Sequence, residues 1–276
     1  MLRRALAAAG ATAAGVAGWS LFESQWVELR EVEALVPELP PELDGLTILH
    51  LSDFHLGTIS FNGRTLERAV RWASERPSDI VAVTGDLLSR RRGEAQLQKA
   101  VAALRPRLGA FAVLGNHDVE VTRDPFSQAT DASVVENAGA VLLENTAVLH
   151  ERNGKTVQIV GGDQSLGPYW GRLADLADPE ADLRVLLFHF PDIVRYLPPG
   201  AFDLVLAGHL HGGQICIPTP RGKVRLEHLQ AEHWEGLHET PAGLLHVSRG
   251  LGTSFVPFRF LARPEATRLV LRSAPR

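Results

Sequence analysis

Aspartate, histidine and asparagine recur at five points along this chain: Asp53-Phe54-His55, Gly85-Asp86, Gly115-Asn116-His117-Asp118, His189, and Gly208-His209-Leu210-His211-Gly212-Gly213. Their carboxylate, amide and imidazole groups offer mixed oxygen and nitrogen donors, a set that admits Mn, Fe, Zn or Co. Two such cations about 3.5 to 4 Å apart, sharing a water, supply a nucleophilic oxygen at neutral pH and cancel charge on a phosphoryl group. The chemistry these residues suit is therefore hydrolysis of a phosphate ester.

Each cluster ends an apolar run. Leu46 to Ser52, Asp79 to Thr84, Gly109 to Leu114, Leu183 to Phe188 and Asp203 to Ala207 are rich in Val, Leu and Ile. Runs of that length, separated by helical patterns around Arg64 to Ser74 and Glu94 to Leu104, predict strands buried on both faces and paired in parallel. In such a sheet the functional groups gather beyond the carboxyl ends of the strands, where loops converge on one crevice. Val141 to Asp163 differs: its short alternating segments around Asn145 and Asn153-Gly154 predict antiparallel hairpins. An edge strand is expected around Trp26 to Ala34, and two later strands at Leu244 to Val247 and Ala266 to Leu271. The sum is a mixed α/β domain of two sheets stacked face to face, with helices outside.

Composition narrows the class. A chain of 276 residues, 45% hydrophobic and 22% charged, suits one sizeable domain. The net charge of -4 argues against a large nucleic-acid-binding surface. With one cysteine, Cys216, no intramolecular disulfide can form.

The amino terminus reads as a separate unit, residues 1–24, ahead of a domain spanning 25–276. Arg3 and Arg4 precede an uncharged stretch from Ala5 to Phe22, closed by Glu23 and roughly one membrane span in length. A signal or signal anchor is expected, through Tat or Sec export, with the amino end inside and the domain held extracytoplasmically at the cell membrane. The sequence leaves open whether it is cleaved, and an Ala-rich helix packed on the domain is the plainer alternative.

Taken in order, D-x-H, G-D, G-N-H-D, a later His and G-H-x-H resemble the calcineurin-like metallophosphoesterase superfamily, from Leu46 to Glu265. The strings Gly208 to Gln214, Ser248 to Ser254 and Arg263-Pro264-Glu265 look like its bacterial membrane-associated YkuE-like branch. The resemblance implies a four-layer α-β-β-α sandwich with two divalent ions at one edge of the paired sheets. One ion would take Asp53, His55, Asp86 and His211; the other Asp86, Asn116, His189 and His209, with Asp86 as the bridge. It also implies a bridging hydroxide as nucleophile and His117 as the acid for the leaving oxygen, with Asp118 orienting its ring and raising its pKa.

Other residues carry less. Asp53 and Asp86 alone would pass for helix caps, but a cap does not explain the histidine partners. His50 is expected to be a core or opposite-face residue, and His228, His233, His238 and Trp234 to lie in a solvated loop. Arg249 and Arg259 suit either a phosphate contact or salt bridges within the fold. The expected activity is that of a monomeric, metal-dependent phosphoesterase with phosphodiesters favoured. The alternatives are a hydrolase of lipid-linked pyrophosphates or phospholipid head groups and, in another class, a non-catalytic scaffold; the complete ligand set weighs against the last.

Overall fold

The computed structural model describes residues 1–119, 124, 125, 127–129, 133–220 and 222–274, so the expected domain end at residue 276 lies outside the described residues. Two six-stranded sheets form the frame. The first contains β1 (Glu28–Val36), β2 (Thr47–Leu51), β3 (Ile80–Thr84), β4 (Gly109–Val113), β5 (Val141–Leu142) and β14 (Glu265–Ser273), in the order β1-β14-β2-β3-β4-β5. The second contains β6 (Thr146–Arg152), β7 (Lys155–Gly161), β8 (Leu183–Leu187), β9 (Leu204–Ala207), β12 (Gly236–Thr240) and β13 (Gly243–Val247), in the order β12-β13-β9-β8-β7-β6. A separate hairpin pairs β10 (Cys216–Thr219) with β11 (Gly222–Arg225).

Both sheets are mixed. β2, β3, β4 and β5 run parallel while β14 meets β2 antiparallel. In the second sheet β7, β8, β9 and β13 are parallel, and β6 and β12 close the edges antiparallel. The expected hairpin at Asn153-Gly154 joins β6 to β7, whereas β5 adds to the edge of the first sheet in parallel with β4.

Burial explains the stacking. Ile48, Ile80, Phe111, Ile159, Val185 and Leu206 meet between the two sheets in one apolar layer. On the outer face of the first sheet, α2 (Asn62–Ser74), α3 (Glu94–Ala103) and α4 (Ser133–Asn137) supply Leu66, Ala69, Leu97, Val101 and Val134. On the outer face of the second sheet, Leu173, Ile193 and Leu197 cover Val205 and Leu245. That last layer corrects the expected α-β-β-α order: its segments, Gln164–Leu176 and Pro191–Arg195, are 3₁₀ helices. Pro168 and the non-helical backbone at Gly167 and Tyr169 interrupt the first, and the second has only five residues.

The two sheets are also tied by polar groups. His50 of β2 and His246 of β13, both buried, meet through their Nδ1 atoms at 2.7 Å. The Thr84 hydroxyl donates to Ser52 Oγ at 2.8 Å and so accepts from His50 Nε2 at 2.9 Å. Burial holds both imidazoles neutral: His50 titrates well below its ordinary value and His246 is pushed down to about 4. An unfolded histidine titrates near about 6.5, so the unfolded chain binds the extra protons and stability falls as pH drops from there toward 4. His246→Gln should flatten this dependence by about 1.4 kcal/mol per pH unit between pH 5 and 6. Urea melts of the metal-free protein measure it, and equal slopes for parent and variant would reject the assignment.

The amino terminus is helical. Leu2–Glu23 is one 22-residue helix, α1, but among the described residues no helix is long and apolar enough to cross a membrane. Its length suffices; its Ala- and Gly-rich composition does not. The last turn packs on the domain: Ser20 O accepts the Arg259 N–H at 3.1 Å, and Glu23 Oε1 accepts the Ala262 N–H at 2.8 Å. Deleting residues 2–17 should leave the melting temperature nearly unchanged. Deleting residues 2–24 should lower it by about 5 °C, because it strands a buried N–H worth about 1 to 3 kcal/mol and uncovers the loop it caps. Equal melting of the two truncations in scanning calorimetry would refute this docking.

Candidate metal centre

The clusters converge because each follows the carboxyl end of a strand. Asp53 and His55 come after β2, Asp86 after β3, Asn116 and His117 after β4, His189 after β8, and His209 and His211 after β9. The backbone turns left-handed at Asp53, His55, Asp86, His209 and His211, with φ between 45° and 71°. For residues with a Cβ this conformation costs roughly 1 to 2 kcal/mol each. It persists because neighbouring loops hold it: Asp53 N–H donates to Gly85 O at 2.9 Å and His55 N–H to Asp86 O at 2.9 Å. Two glycines allow the approach. A Cβ on Gly115 would stand 2.1 Å from Asp86 Oδ1, and one on Gly208 would stand 2.0 Å from Ser52 Oγ.

Two groups of donors result, and they share Asp86. Asp53, His55, Asp86 and His211 bring donor atoms within 4.8 Å of one another, as do Asp86, His189 and His209. His55 Nε2 faces His211 Nε2 at 3.1 Å and Asp86 Oδ2 at 3.5 Å, and His211 Nε2 lies 3.4 Å from Asp53 Oδ1. On the other side His189 Nε2 faces Asn116 Oδ1 at 3.1 Å, His209 Nδ1 at 3.2 Å and Asp86 Oδ2 at 3.3 Å. Imidazole nitrogens crowded against one another and against carboxylates, in a buried site, are the donor set a divalent cation requires. The residues present fit the group.

The next layer orients the rings. His189 Nδ1 donates to Thr84 O at 2.7 Å, leaving Nε2 turned toward the donor cluster, and His55 Nδ1 meets Ser89 Oγ at 3.2 Å. Burial keeps His55, His209 and His211 neutral, with His55 pushed down to about 3. For His189, burial is outweighed by Asp86 and Asp53, which push it up to about 9. Burial likewise opposes ionisation of Asp86, but His189 and His55 hold its carboxyl well below the usual range, while burial drives Asp53 upward.

His117 stands over this cluster, its ring edge-on to His55 at 4.6 Å and its backbone N–H on Asp86 Oδ1 at 2.9 Å. The expected partner of its ring is corrected. Asp118 accepts the N–H groups of Leu87, Leu88 and Gly115 at 2.9 to 3.2 Å, lacing two ligand loops together. The Nδ1 of His117 meets Ser127 Oγ at 2.7 Å, and Asp124 Oδ2 lies 3.7 Å away. Ser127 donates to Asp124 at 3.3 Å and therefore accepts from His117. Residue 118 follows its histidine too closely to swing round the ring, whereas a loop returning ten residues later can.

The structure adds residues that spacing did not mark. His228, expected in a solvated loop, lies 5.0 Å ring to ring from His209 and lines the same cavity of about 200 Å³. Its left-handed backbone, φ 51°, was the one local hint, and it is conformational rather than legible in residue type. Trp234 instead receives Lys223 and Arg225 on its ring, and His233 pairs with His238. Of the two arginines, Arg249 makes salt bridges to Glu265 and Glu28. Arg259, wholly buried, donates to the carbonyls of His211, Arg249, Gly252 and Ala262, tying the last ligand loop to the one after β13.

Residues 46–213 match the model of the calcineurin-like phosphoesterase family, and the chain belongs to that family. It is 33% identical to the uncharacterized metallophosphoesterase YkoQ of Bacillus subtilis over 82% of this chain and 84% of that one. It is 30% identical to YkuE of the same organism, another uncharacterized metallophosphoesterase, over 98% and 94%. A third relative, the UDP-2,3-diacylglucosamine pyrophosphatase LpxG of Chlamydia trachomatis, is 27% identical over 83% and 84%. The protein is a metallophosphoesterase of the YkuE-like branch, a hydrolase of phosphoric ester bonds.

Proposed function

We propose that this chain hydrolyses phosphodiester-type bonds, including the P–O–P link of a pyrophosphate diester, at two divalent cations. Asp53, His55, Asp86 and His211 would hold one ion and Asp86, Asn116, His189 and His209 the other. The observation that carries this reading is the pair of donor groups meeting at one carboxylate, Asp86. When bound, the ions polarise the phosphoryl group and lower the pKa of the attacking water.

The chain's own residues do the rest. Thr84 O and Ser89 Oγ keep the ligand rings from turning, and Asp118 holds the loops of Asp86 and Asn116 in register. His117, backed by Ser127 and Asp124, is placed to deliver a proton to the departing oxygen. The preference for diesters over monoesters is carried over from the family resemblance, since the donor set suits either. The pyrophosphate reading draws support from the relative named as a UDP-2,3-diacylglucosamine pyrophosphatase.

Metal analysis of the purified protein, combined with turnover of matched aryl monoesters, aryl diesters and pyrophosphate diesters, tests the proposal. Diesters and pyrophosphate diesters should turn over faster than monoesters. A strict monoesterase, or activity that survives complete metal removal, would sink it.

A further inference from the structure

A second cavity, about 660 Å³, opens beside the metal centre, and Ser254 and Phe255 border both. Ile59, Phe255, Val256 and Pro257 give it an apolar lining, beside the charged Arg90, Arg91, Arg92 and Asp124. The volume lies within the range that holds a small organic ligand, about 300 to 1,000 Å³. Ile59 is 91% exposed, Phe255 46% and Val256 41%, so three large apolar side chains meet water around one opening. Apolar side chains gathered around one concave opening are the lining that small-molecule sites use.

This wall is built in place. Phe255 sits at φ 56°, a backbone conformation that a bulky side chain rarely adopts, with its ring 6.3 Å from that of His117. Gln214, just past the last ligand loop, clamps the strained segment. Its side-chain N–H₂ donates to Ser254 O at 2.9 Å and Val256 O at 3.3 Å, and its Oε1 accepts the Ser254 N–H at 3.0 Å. Asn62 fixes the preceding residue, accepting from Thr253 N–H at 3.1 Å and donating to Thr253 O at 3.2 Å. The loop that supplies candidate ligands thus also holds the apolar wall in place.

We propose that this cavity receives a hydrocarbon chain of the substrate, which makes the protein a hydrolase of amphiphilic phosphodiesters or pyrophosphate esters. The inference rests on the phosphodiester reading above and names its substrate class. The phosphoryl group sits at the metal cluster, and the chain runs past Phe255 between Ile59 and Val256.

The test uses a series of alkyl 4-nitrophenyl phosphodiesters with chains of increasing length, kept below their micelle-forming concentrations, with the metal-loaded full-length protein. The value of kcat/KM should rise by up to about fourfold per added methylene until the cavity is filled. Ile59→Asp and Val256→Asp, both at exposed positions, should flatten that slope. Melting curves matching the parent's confirm that the variants fold. A flat series in the parent, or an unchanged slope in both variants, would overturn the inference while hydrolysis of the ethyl member leaves the phosphodiester reading standing. If no member turns over, that reading fails, and calorimetric binding of alkyl phosphonates of the same lengths decides the cavity: affinity must rise with chain length in the parent and not in the variants.

Discussion

Replacing Asp86 by Ala should abolish hydrolysis and carry the metal content from about two ions per chain toward none. Asp86 belongs to both donor groups, so its loss removes a charged ligand from each at once. The other oxygen of the same carboxylate accepts the His117 N–H at 2.9 Å, and the substitution therefore also frees the loop that positions His117. An imidazole cannot replace it, because it presents one lone pair toward a cation while the carboxylate oxygen facing both groups presents two. Asp86→Asn separates charge from shape: it should keep the fold yet bind metal weakly. Elemental analysis alongside turnover gives the readout, and full occupancy with undiminished turnover in the Ala variant would remove the two-cation site.

The second large effect belongs to His117. His117→Ala should leave metal content nearly unchanged and lower turnover by about 10² to 10⁴ for an ester with a poor leaving group. For a nitrophenyl ester the loss should be much smaller, because that leaving group departs without a proton. The dependence on leaving group distinguishes proton delivery from a structural role, since a disturbed loop would slow both substrates alike. Ser127→Ala should show the same pattern in weaker form, as Ser127 Oγ touches the far side of the ring at 2.7 Å. Equal losses across leaving groups would show that His117 acts by another route.

The strands were legible because their signal is local. Val, Leu and Ile crowd into short runs wherever a strand is covered on both faces, and the runs around β2, β3, β4, β8 and β9 match the structure to within a residue or two. That the seven candidate ligands would converge was legible for a related reason. A side chain that follows a strand inherits that strand's place in the sheet, so residue type together with position beyond a run indicates where it gathers. His50 also behaved as its parity implied, turning into the space between the sheets rather than toward the cluster.

What residue type and spacing did not reveal depends on contacts between distant segments or on energies that type alone does not display. Asp118 stands beside His117 in the chain, yet its carboxylate serves Leu87, Leu88 and Gly115, while Ser127 and Asp124 reach the ring from a returning loop. His228 meets His209 only because the segment after β11 folds back over the cleft. The outer layer on the second sheet is 3₁₀ rather than α because Pro168 and Gly167 break it, although Leu173 and Ile193 still meet the sheet as a helix face would. Length and flanking charge suggested a membrane span at α1, whereas no helix among the described residues is long and apolar enough to cross a membrane, and that Glu23 accepts the Ala262 N–H was not legible from either. By itself the sequence determined the strands, the donor residue types that gather beyond them and the family, all properties of neighbouring residues. Only the tertiary structure decided which group backs His117, which loops Arg259 and Gln214 clamp, and that a second cavity opens beside the donor cluster, because each of these depends on how loops far apart in the chain pack together.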